Sequence, residues 1–124
     1  MKLARFDSIT NAEAGVEFEL PDPVTGIGSG AFVTVLGADS KVYQAAVKEI
    51  LQRNRAKGSA GMSDEDSIEV IARCLTGWRG IEDDHGKQLA FSQEKAKEIL
   101  RGYPVILARV SEFVTNRAGF FPKP

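Results

Sequence analysis

The stretch GWRGIEDDHGKQLAFSQE, Gly77 to Glu94, holds the only Trp and the only His of the chain, with Glu82, Asp83 and Asp84 between them. A histidine beside carboxylates could be a general base held by an acid, or part of a metal site. A calcium loop needs oxygen ligands at its first, third and fifth positions, glycine at the sixth and glutamate at the twelfth. With Gly86 as the sixth, Ile81 stands first, Asp83 third, His85 fifth and Ser92 twelfth. Isoleucine cannot ligate and serine cannot give a bidentate carboxylate, so the pattern fails. Zinc needs three or four ligands, and His85 and Cys74 are the only soft candidates. Asp-Asp-His-Gly is equally the composition of an exposed turn, with glycine supplying positive φ. The turn is the better reading. No catalytic residue, metal ligand or cofactor is assigned.

Other candidates meet plain structural readings. Cys74 falls beside the apolar face of a helix and reads as a buried, inert thiol. Gly26-Ile-Gly-Ser-Gly30 invites comparison with a dinucleotide-binding loop, but that loop must lead from a strand into a helix. Here the glycines lead into the strand-like run Phe32 to Leu36. Trp78 reads as a core anchor. Arg53, Arg55 and Lys57 read as a solvated helix end. With no reactive constellation left, the chain is expected to be a binding or assembly protein rather than an enzyme.

The elements that position these residues follow from periodicity. Val16 to Leu20 alternates apolar and polar, a half-buried strand ended by Pro21. A second strand over Ala31 to Leu36 completes an expected hairpin. Asp39 or Ser40 caps a helix running to about Ala56, with apolar residues at helical spacing. Ser63 and Asp66 form a capping box for a second helix, which Gly77 is expected to end. Ser92 caps a third, with Phe91 as its hydrophobic staple, and Pro104 opens a fourth. The predicted fold class is α+β, mainly α: an N-terminal β-hairpin followed by about four helices. It forms one domain over residues 1–124, with a flexible end at 119–124. The core is expected to include Val16, Phe18, Phe32, Val35, Ile50, Leu75, Trp78, Leu100 and Phe113.

Composition narrows the function. The 124 residues are 43% hydrophobic, enough for one core. Sixteen basic residues stand against 17 acidic, a net charge of −1, which argues against nucleic acid as partner. A single Cys excludes an internal disulfide. The start, MKLARFDSIT, is not expected to be a signal peptide, and no run approaches the roughly 20 apolar residues of a membrane span. A cytoplasmic protein is expected.

Two segments together resemble the tail assembly chaperones of long-tailed, lambda-like bacteriophages and their prophages. One is Val35-Leu-Gly-Ala-Asp-Ser-Lys-Val-Tyr43. The other runs from Leu75-Thr-Gly-Trp-Arg-Gly-Ile81 through Asp84-His-Gly-Lys87 to Phe91-Ser-Gln-Glu-Lys-Ala-Lys-Glu-Ile-Leu100. The family's order is a helix ending in tryptophan, an acidic glycine turn, then Phe-Ser opening the next helix. The resemblance covers residues 31 to 115. Trp78, Phe91 and Ser92 match its positions as fold determinants, and the stretch becomes a connection between two helices. The resemblance implies a non-enzymatic role: binding the tape measure protein, keeping it soluble, and helping the tail tube protein polymerise around it. Self-association is a further expectation. Phe120 and Phe121, adjacent aromatics expected to be exposed at the end, are the candidate partner-binding residues. Members of this family also make a longer product by ribosomal slippage, and codons for Phe121-Pro122-Lys123 can contain a slippery heptamer. The alternative is a small helical adaptor or DNA-binding regulator using the second and third helices.

Overall fold

The computed structural model describes residues 1–121. Pro122 to Pro124, which carry most of the slippage reading and half of the expected flexible end, lie outside the described residues. The chain is mixed α+β and mainly helical, but the expected order, a hairpin followed by about four helices, is wrong. The order of elements is α1 (Ser8–Ala14), β1 (Val16–Pro21), β2 (Gly28–Val35), α2 (Lys41–Ala56), α3 (Asp64–Cys74), β3 (Leu75–Arg79), α4 (Gln93–Gly102) and α5 (Pro104–Thr115). Short 3-10 turns occupy Leu3–Phe6 and Arg117–Phe120.

Two elements make the difference. The first is α1, which precedes the hairpin. Asp7 caps it, accepting the Thr10 N–H at 2.9 Å, and Gly15 closes it at φ 81°. The second is β3, which interrupts the helices. Leu75 was expected on the second helix, yet that helix ends at Cys74 and the backbone turns straight into extended conformation at Leu75. Its partner is the open edge of β2, giving an antiparallel sheet in the order β1-β2-β3. Val33 faces Trp78 and Val35 faces Leu75, with a register irregularity between them. That irregularity lets Leu75 and Trp78, three residues apart, both reach the core side. Edge pairing satisfies backbone groups that a helix ending in Gly77 would have left to solvent.

The pleat corrects one expected core residue. Val33 and Val35 point inward and are buried, so Phe32 lies on the opposite face. There the Arg79 guanidinium sits 3.9 Å from its ring centroid and pairs with Glu17 at 2.9 Å. The inner face of the sheet packs on α3 and α5. Phe18 stacks on Phe113 with ring centroids 4.0 Å apart. Helix α3 is central, packed against α2, α4 and α5. It begins at the expected capping box, Ser63 with Asp66. Two ion pairs, Arg53 to Asp66 and Arg73 to Glu49, both at 2.9 Å, tie it to α2. Ser40 caps α2, accepting the Tyr43 N–H at 3.2 Å. Asp39 instead pairs with Arg117 at 2.7 Å, holding the C-terminal 3-10 turn down, and that guanidinium keeps the Asp39 carboxyl below the usual range.

Candidate interaction surface

The opening stretch connects β3 to α4; it does not join two helices. Asp83 organises it. Its Oδ1 accepts the N–H groups of His85 at 2.8 Å and Lys87 at 2.9 Å. Its backbone N–H donates to the Lys87 carbonyl at 2.8 Å, and Leu89 N–H donates to Ile81 O at 2.9 Å. Gly86 takes φ 78°, as the turn reading requires. His85 is exposed and Cys74 is fully buried, so the two soft residues are not brought together.

Burial pushes the Cys74 thiol up to about 12, so the thiolate that would react is scarce near neutral pH. A chromogenic disulfide reagent at mildly alkaline pH is expected to leave the native protein unlabelled. In denaturant it should label the single thiol at once. Rapid labelling of the native protein would contradict this burial.

The three expected fold determinants act together. The Trp78 indole N–H donates to the Leu89 carbonyl at 2.8 Å, pinning the turn against the sheet. Its ring meets Phe91 edge-on at 4.8 Å. Ser92 then caps α4, accepting the Lys95 N–H at 3.0 Å.

The two candidate partner-binding residues are separated. Phe120 is 4% exposed and packs against Phe113, with ring centroids 5.3 Å apart. Its place is made by Gly37, where a Cβ would lie 2.8 Å from Ala12 and 3.2 Å from the Phe120 ring. The expectation of two exposed adjacent aromatics is thus corrected: Phe120 belongs to the core. Phe121 is half-buried beside Lys2, Arg5 and Phe6.

A further exposed apolar surface lies at the junction of α4 and α5. A groove of about 490 Å³ runs between the Leu20–Ala31 end of the sheet and the start of α5. A second, of about 580 Å³, lies between the Asp83 turn and α4. They share Ile81, Glu82, Tyr103 and Ile106, and so adjoin as one trough. Tyr103 is the hinge residue between α4 and α5. Its N–H donates to Ile99 O, and its carbonyl accepts from Ile106 and Leu107. The backbone is fixed while the side chain stays 58% exposed, beside Val105 at 51%. No sequence pattern marked this site, because its walls come from four separated segments. The one available hint was Tyr103 and Val105, apolar residues flanking the Pro104 that opens a helix.

Among the described residues no helix is long and apolar enough to cross a membrane. The model of the YdaY prophage protein family matches residues 38–121, from the corner before α2 to the C-terminal 3-10 turn. No curated protein and no solved structure matches the chain. The match spans α2 to α5, including the Asp83 turn and Tyr103, and the chain therefore belongs to the YdaY prophage protein family.

Proposed function

We propose that this prophage protein is a non-enzymatic tail assembly chaperone. It binds the tape measure protein in the host cytoplasm, keeps it soluble, and promotes polymerisation of the tail tube protein around it. The observation that carries this reading is the apolar trough around Tyr103. An exposed aromatic on a fixed backbone beside an open apolar groove has little reason to exist in a protein that acts alone. A tape measure is a long helical chain with exposed apolar seams, and a groove of this kind covers such a seam. Membership of a prophage family and the resemblance over residues 31 to 115 support the same reading.

Co-expression with the tape measure protein of the same prophage provides the test. The tape measure is expected to be insoluble alone, and soluble and co-purifying in the presence of this chain. A tape measure whose solubility is unchanged, with no complex on size exclusion, overturns the proposal.

A further inference from the structure

We infer that the trough on both sides of Tyr103 receives an amphipathic α-helix whose apolar seam is flanked by lysine or arginine. The inference rests on the chaperone reading for the protein that carries this helix, but not for the chemistry of the groove. The floor is apolar: Leu20, Ala31, Ile81 and Ile106. The rim is acidic. Among the described residues, Lys95 and Arg109 are the basic side chains lining the trough, and each is already paired, with Glu98 and with Glu112, both at 3.1 Å. Glu82, Asp83 and Asp84 take part in no ion pair among the described residues. Lys87, across the same turn, is not part of the lining. Asp83 spends its carboxylate on the turn, which leaves Glu82 and Asp84 exposed to meet a cation.

The rim decides between occupants. A second copy of this chain, packed by two-fold symmetry, would set one acidic rim against another. Nucleic acid would be repelled by the same charges. A helix with basic flanks satisfies both floor and rim. The turn is held by backbone hydrogen bonds and Tyr103 by both helices, so binding orders little of this chain.

The test uses the full chain and two synthetic helical peptides with one leucine seam, flanked by lysine in one and glutamate in the other. The lysine peptide is expected to bind at least about ten-fold more tightly, with affinity falling as salt rises. Tyr103→Ala should weaken it by about ten-fold or more, as loss of a central aromatic anchor does. Glu82→Gln with Asp84→Asn should weaken it several-fold and flatten the salt dependence, while melting curves stay close to wild type. Equal binding of both peptides, or binding indifferent to Tyr103→Ala, overturns the inference. So does a concentration-dependent dimer that Tyr103→Ala abolishes. Tape measure segments separate the two proposals. Tape measure binding that survives Tyr103→Ala removes the groove inference and leaves the chaperone reading standing. Lysine-peptide binding with no tape measure binding does the reverse.

Discussion

Replacing Gly80 with alanine is expected to lower stability by about 3 kcal/mol or more, the upper part of the range for forced overpacking. Gly80 sits at φ 76°, where a side chain is already strained, and a Cβ there would stand 2.2 Å from the Gly30 carbonyl oxygen. That neighbour is backbone, so no side chain can swing aside. Relief requires the end of β3 to move away from the start of β2. Gly30 supplies the control. It also has positive φ, at 85°, but a Cβ there meets nothing within 4 Å. Gly30→Ala should therefore cost only the conformational part, about 1 kcal/mol. Urea unfolding of both variants measures the difference. Equal losses would show that the close approach at Gly80 does not exist in solution. Because Gly80 lines the trough beside Ile81, Gly80→Ala should also weaken any partner held there.

Leu100→Ala is expected to cost about 3–4 kcal/mol, within the range for emptying a large apolar site in a packed core. Leu100 is 1% exposed and lies in the main cluster with residues of β2, α3 and α5. Its removal leaves a space walled by several elements, which cannot collapse together without losing their own contacts. A domain of this size has about 5–15 kcal/mol in total, so the variant should unfold at distinctly lower denaturant with an unchanged slope. Val105→Ala, half exposed on the next helix, should change stability by no more than about 0.5 kcal/mol. A Leu100→Ala variant as stable as Val105→Ala would mean that α4 is not packed as described.

The features legible in the amino-acid sequence are those set by short-range backbone and side-chain chemistry. Ser40, Ser63 and Ser92 cap their helices, Pro104 opens α5, and Asp83 with Gly86 builds the turn, all from residues within about four positions of one another. Helix α1 carried the same kind of mark, Asp7 before it and Gly15 after it, and could have been read. The alternation of β1 was visible because one of its faces is wet. What tertiary structure alone decided is of another kind. Leu75 to Arg79 is a strand because the edge of β2 is there to pair with it; its apolar spacing also suits a helix. Phe120 is buried because Gly37, far away in sequence, leaves room for its ring. The trough around Tyr103 exists because the sheet end, the Asp83 turn, α4 and α5 happen to meet. A cap demands a particular side chain at a particular offset, so it leaves a signature in the chain. Pairing and packing between distant segments accept many residues at many spacings, so they leave none.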